Sequence, residues 1–242
     1  MKCIFDVVLI LAVAVSLSST ARADKKAGIQ QNGSLDAQIN VHMDYLIYLP
    51  HDYDEQETWP LLLFLHGGGE RGDDLELVKM HGPPKLIAAG KHFPFIVVSP
   101  QCPKERSWEP LELMVLVDAI VKKYRVDADR IWVTGLSMGG FGSWRLAAYA
   151  PQQFAAIVPI CGGGETYWAK RFPHLPVWAF HGAKDVGIPV ERSQAMVDAL
   201  RERGGNPKLT IYPEAGHNAW AETYDNPQLY EWLMEQKRCN SE

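Results

Sequence analysis

Arg130-Ile131-Trp132-Val133-Thr134-Gly135-Leu136-Ser137-Met138-Gly139-Gly140-Phe141 is the stretch that decides the fold. Residues 130–134 are β-branched and aromatic and read as a strand. Residues 141–149, rich in Ala, Leu, Trp and Arg, read as a helix. Ser137 therefore stands at the apex of a strand-to-helix turn, with a glycine two residues away on each side to let strand and helix approach closely. In such a turn the hydroxyl stands free at the head of the helix, where the partial positive charge of the N-terminus meets a developing oxyanion. G-x-S-x-G alone is only moderately specific, and the rival reading is a glycine-rich turn whose serine caps the helix. The strand before and the helix after favour a nucleophilic serine.

Outward from this turn, strand-like runs recur at 44–49, 61–65, 95–98, 131–133, 156–160, 177–180 and 209–212. Most are continuously apolar rather than alternating, as a sheet covered on both faces requires. Helical stretches are expected at 111–124, 141–149, 190–203 and 228–237. Strands alternating with helices predict right-handed crossovers and a mostly parallel central sheet with helices on both faces. Ligands of such sheets bind outside the carboxyl ends of the strands.

The groups with chemistry to offer fall at that end. Asp185 lies on the loop after run 177–180, in His181-Gly182-Ala183-Lys184-Asp185. Its competitor Asp198 sits inside a predicted helix beside Glu191 and Arg201 and reads as a solvated face. His217 follows run 209–212 and comes after both acids, which suits a general base. His66 and His181 each precede Gly at a strand exit and are expected to hydrogen-bond the backbone there. An oxyanion needs two fixed N–H donors. Met138, the residue after the nucleophile, supplies one. The other is expected from the loop His66-Gly67-Gly68-Gly69-Glu70-Arg71-Gly72, with Gly68 the first choice and Gly69 the second. A phosphate-cradling role for that loop is disfavoured because no Lys-Ser/Thr follows.

Together with Gly216-His217-Asn218-Ala219-Trp220, these motifs span residues 61–233 and resemble the α/β-hydrolase superfamily. Within it the chain is similar to secreted bacterial esterases of the phospholipase/carboxylesterase and polyhydroxybutyrate-depolymerase/feruloyl-esterase-like group. It also resembles dienelactone hydrolases in size, but those use a cysteine nucleophile where this chain has Ser137. The resemblance implies an α/β-hydrolase fold and a Ser137-His217-Asp185 triad that cleaves carboxylic esters with water and no cofactor. The same machinery acting on amides is the nearest alternative, and a catalytically silent binding protein is the more distant one. Residues 162–173 are too few for the helical cap that lipases of the superfamily often insert between strands, so no large cap domain is expected. Trp108, Trp168 and Trp220 fall on strand-exit loops and are candidate walls of the substrate site. Trp132, Trp144, Trp178 and Trp232 are expected in the core.

The chain has 242 residues and a formal charge of −5. Lys2, the apolar run 7–17 and Ala21-Arg22-Ala23 have the pattern of a signal peptide cleaved after Ala23. That predicts export and leaves residues 24–242 as a single catalytic domain. The acidic balance and the lack of any basic block argue against nucleic acid as a partner. A small-molecule or polymer-attached ester is the expected substrate, with no stable membrane insertion. Removal of the leader would leave Cys102, Cys161 and Cys239, an odd number that allows at most one internal bridge. Cys102 follows the strand ending at Val98-Ser99 and Cys161 follows the run 156–160, so both are expected near the same edge of a parallel sheet, and the sequence leaves their pairing open. No cysteine or histidine spacing indicates a structural metal.

Overall fold

The computed structural model describes residues 40–238, with Gln30, Asn32 and residues 34–36 before them. The leader with its cleavage site, Cys3 and Cys239 lie outside the described residues. Seven described strands form one sheet: β1 (Tyr45–Tyr48), β2 (Trp59–Leu65), β3 (Ile96–Pro100), β4 (Val126–Leu136), β5 (Ala156–Ile160), β6 (Trp178–Gly182) and β7 (Lys208–Tyr212). Their spatial order is β1-β3-β2-β4-β5-β6-β7, with only β1 antiparallel to its neighbour.

The unbroken apolar run of β2 divides residue by residue between the two faces. Leu61, Leu63 and Leu65 enter one core cluster with side chains of α2 (Pro110–Lys123), α3 (Met138–Tyr149) and α4 (Glu191–Arg201). Leu62 and Phe64 enter the other, with residues of α5 (Trp220–Asp225) and α6 (Pro227–Glu235); α1 (Gly82–Ala88) packs its Leu86 and Ile87 against the same cluster. Trp132, Trp144, Trp178 and Trp232 all belong to this interior. No described helix is long and apolar enough to cross a membrane.

The differences from the sequence reading are local. The helix after the elbow starts at Met138 rather than near 141, so Ser137 is its N-cap. Helix α1 is unanticipated, because it opens on Gly82-Pro83-Pro84; proline at the first helical positions loses no internal hydrogen bond. Strand β6 continues through Gly182, so His181 belongs to the strand and is buried rather than sitting on the following loop. Between β5 and β6 the chain makes only a 3-10 turn, Thr166–Arg171, and among the described residues no cap domain covers the strand ends.

Cys102 and Cys161 are both buried and free. They sit in opposite core clusters, on the two sides of the sheet.

Candidate active site

The β4–α3 turn holds Ser137 at φ +52 and ψ −116, a conformation that L-residues avoid. The surroundings fix it there. The Ser137 N–H donates to the Ile160 carbonyl at 2.9 Å, and its own carbonyl accepts from Phe141 N–H at 3.0 Å. A Cβ on Gly139 would lie 1.9 Å from the Leu65 carbonyl oxygen, so the helix can seat this close to β2 only with glycine at that position.

The loops after β6 and β7 are equally tight. A Cβ on Gly182 would meet the Gly216 carbonyl oxygen at 2.2 Å. Ala183 N–H donates to Tyr212 and Lys184 N–H to Ala215, both at 2.9 Å. This lashing brings the Asp185 and His217 loops side by side. His217 Nδ1 lies 2.7 Å from Asp185 Oδ2, and His217 Nε2 lies 3.0 Å from Ser137 Oγ. Asp185 Oδ1 accepts from the N–H groups of Gly187 at 2.9 Å and Ile188 at 2.8 Å. Burial alone would raise the Asp185 carboxyl, but the Ile188 and Gly187 N–H groups and His217 outweigh it and hold it below the usual carboxylate range. Asp198 lies on the exposed side of α4, paired with Arg201 at 3.1 Å.

Met138 opens α3, so its N–H has no acceptor within the helix, and it lines the cleft beside Ser137. Across from it, the loop after β2 is built on a strut. Gly67 N–H donates to Glu70 Oε2 at 2.8 Å, which removes it as an oxyanion donor and leaves Gly68 as the next N–H along the loop. Gly68 opens the short turn Gly68–Glu70, and its carbonyl accepts from Arg71 Nε at 2.9 Å. The buried Glu70 was not singled out from the sequence; acid three residues after a glycine-rich exit is the signal that marks it.

His66 anchors the same loop from below. Its Nε2 accepts from Cys102 N–H at 2.9 Å and its Nδ1 donates to the Gly67 carbonyl at 2.7 Å. The Cys102 N–H needs a lone pair on Nε2 and so a neutral ring, and burial lowers the pKa to about 4 against the upward pull of the Gly67 carbonyl.

The three tryptophans are not brought together. Trp108, nearly fully buried, donates from Nε1 to the His66 carbonyl at 3.1 Å and floors a cleft of about 460 Å³ that opens over Ser137. Trp168 forms a wall of the same cleft, with Phe141 and Ile188 adding apolar surface and Arg145 and Arg192 on its rim. Trp220 lies elsewhere. Its ring stands edge-on to His217 at 5.1 Å and near His81 at 5.5 Å, beside a separate recess of about 60 Å³.

One group of potential metal ligands exists among the described residues: Cys161, His181 and Asp185, whose donor atoms lie within 4.8 Å of one another. Asp185 and His181 are already saturated by protein partners. Burial pushes the Cys161 thiol up to about 12, with the nearby Asp185 carboxylate adding to the rise. A neutral thiol facing a carboxylate is a hydrogen-bonding arrangement rather than a ligand set.

Comparison with known proteins identifies the family and the fold. The sequence model of the Dienelactone hydrolase family matches residues 109–234. A provisionally named carboxymethylenebutenolidase of Yersinia pestis is 33% identical over 100 residues, 38% of this chain and 38% of that protein. The chain thus aligns with little more than a third of the length of that curated relative. Among solved structures, a thermostable esterase is similar with a TM-score of 0.73 and 34% identity, over 84% of this chain and 61% of the other. A ferulic acid esterase shares the fold, with a TM-score of 0.59 and 18% identity over 78% of this chain and 90% of that one.

Proposed function

The chain belongs to the dienelactone hydrolase family, and from that premise we propose that it is an exported serine hydrolase cleaving carboxylic esters of short or aromatic acids. The observation that carries the reading is the unbroken relay from Asp185 to His217 to Ser137, at 2.7 and 3.0 Å, ending on a serine held at φ +52. Where dienelactone hydrolases use a cysteine, the elbow of this chain presents a hydroxyl. A hydroxyl is a weak nucleophile without a base, so the relay is what makes it reactive.

In the proposed mechanism Ser137 Oγ attacks the ester carbonyl as its proton passes to His217 Nε2. Asp185 holds the ring in the tautomer with Nδ1 protonated and stabilises the imidazolium. The N–H groups of Met138 and Gly68 receive the oxyanion. The tetrahedral intermediate collapses, the alcohol leaves with the proton from His217, and an acyl group remains on Ser137. Water, activated by the same histidine, then releases the acid. Every step balances with protein groups and water.

The cleft supports the acyl preference. Its apolar surface is mostly aromatic, contributed by Trp108, Phe141 and Trp168 with Ile188, in a volume of about 460 Å³. A long acyl chain would leave much of its length in water and gain little there. Export rests on the leader pattern of residues 1–23.

A panel of acetyl, butyryl, feruloyl and palmitoyl esters, with peptide amides alongside, tests this reading. The expected order has acetyl, butyryl or feruloyl esters above palmitoyl in kcat/KM, with no jump in rate as substrate passes its solubility limit. A palmitoyl preference or interfacial activation would overturn the acyl assignment, and amide cleavage faster than ester cleavage would overturn the reaction class.

A further inference from the structure

Behind the relay lies a second histidine that the mechanism above does not use. His181 is fully buried, and so is the Asp185 side chain. Its Nδ1 lies 2.8 Å from Ser193 Oγ. That hydroxyl has one proton and a second neighbour, the Gly162 carbonyl at 2.9 Å, which can only accept. The hydroxyl proton is therefore committed to Gly162, and His181 Nδ1 must be the donor to Ser193. On the other edge of the ring, Nε2 lies 2.8 Å from the Ile188 carbonyl, again a pure acceptor, and 3.3 Å from Asp185 Oδ2. Nε2 must donate as well. A neutral ring in either tautomer would set a lone pair against an oxygen lone pair in this interior, where an unmade bond is costly.

We infer that His181 is an imidazolium at neutral pH, a buried cation paired with Asp185, and that it acts as a positioning residue that keeps His217 unprotonated in the resting enzyme. The carboxylate of Asp185 thus lies between two imidazoles. With His181 charged, the buried pair is already neutral. A proton on His217 leaves the group with a net positive charge, and the attraction that Asp185 alone would exert on that proton is partly cancelled. The groups facing this pair are few. Cys161 at the end of β5 presents a neutral thiol, the loop after β7 presents His217, and α4 presents the Ser193 hydroxyl. On the same loops, Lys184 is exposed and paired with Glu214, and on α4 Arg192 places its guanidinium over the Phe141 ring. The mechanistic half of the inference rests on the hydrolase reading; the charge state of His181 does not.

Two measurements test the two halves separately. In ¹⁵N-histidine-labelled wild-type protein, His181 should show both ring nitrogens protonated from pH 6 to pH 8. One unprotonated ring nitrogen in that range would overturn the inference, whatever the protein hydrolyses. The second measurement is the pH profile of His181→Gln, whose amide can still donate to the Ile188 carbonyl but carries no charge. The acidic limb of kcat/KM should move to higher pH by about one unit, while the plateau falls less than tenfold. A lowered plateau with an unmoved limb would mean that His181 is only scaffolding. If the variant does not fold, the nitrogen spectra of the wild type still decide the charge.

Discussion

Replacing Asp185 by Asn should cost about 10⁴ in turnover without unfolding the site. The reason lies in which oxygen is replaceable. Oδ1 accepts from two backbone N–H groups, Gly187 at 2.9 Å and Ile188 at 2.8 Å. An NH₂ group there would face two donors, so the amide oxygen must occupy that position. The NH₂ then takes the place of Oδ2, 2.7 Å from His217 Nδ1, and donates to it, while His181 Nε2, 3.3 Å from that position, keeps its closer acceptor, the Ile188 carbonyl at 2.8 Å. His217 must move its proton to Nε2, which lies 3.0 Å from Ser137 Oγ. The base becomes a donor to the hydroxyl it should deprotonate. A wrong tautomer in such a triad lowers turnover about 10⁴-fold, or about 5 kcal/mol of barrier. Hydrolysis of p-nitrophenyl butyrate measures the loss, and a denaturation curve checks that the fold persists. A loss below tenfold, or a comparable loss in Asp198→Asn, would refute the reasoning.

Gly139→Ala should destabilise the fold by about 2–3 kcal/mol, since its Cβ would lie 1.9 Å from the Leu65 carbonyl oxygen. Gly69→Ala, which meets nothing within 4 Å, should be close to neutral in the same urea titration. His66 supplies a pH dependence. Burial holds its folded-state pKa at about 4 against an ordinary 6.5, so between those values the unfolded chain binds a proton that the folded chain refuses. Stability should therefore fall as pH drops through this window, by about 2–3 kcal/mol at pH 4.5. His66→Gln should show a shallower fall, and equal slopes for the two proteins would contradict the assignment.

The parts of this site that were legible in the sequence are those where local chemistry and chain order coincide. Ser137 is readable because strand, glycines and helix signal one turn within a dozen residues. His217 is readable because a strand precedes it and an acid comes earlier. What escaped depends on contacts distant in sequence. Trp220 sits three residues after His217, yet a helix starting at that point sets its ring between His217 and His81 and outside the lining of the cleft. His181 looked like a backbone-bonding histidine, and it does meet the Ile188 carbonyl. Its second partner, Ser193, comes from α4, twelve residues on. Cys102 and Cys161 both end strands on the ligand side, but which face of the sheet each occupies is set by strand parity and packing. Phe141, Arg145 and Arg192 line the cleft because α3 and α4 present them there, and their helical runs read simply as helices.

The central claim is that Ser137 is the activated nucleophile, and an active-site-directed fluorophosphonate tests it most directly. Only a hydroxyl coupled to a base attacks such a reagent readily. A single adduct is expected, mapped by peptide mass spectrometry to Ser137, forming more slowly as acid protonates His217 and absent from Ser137→Ala. An adduct on any other residue, or persistent labelling of Ser137→Ala, would contradict it.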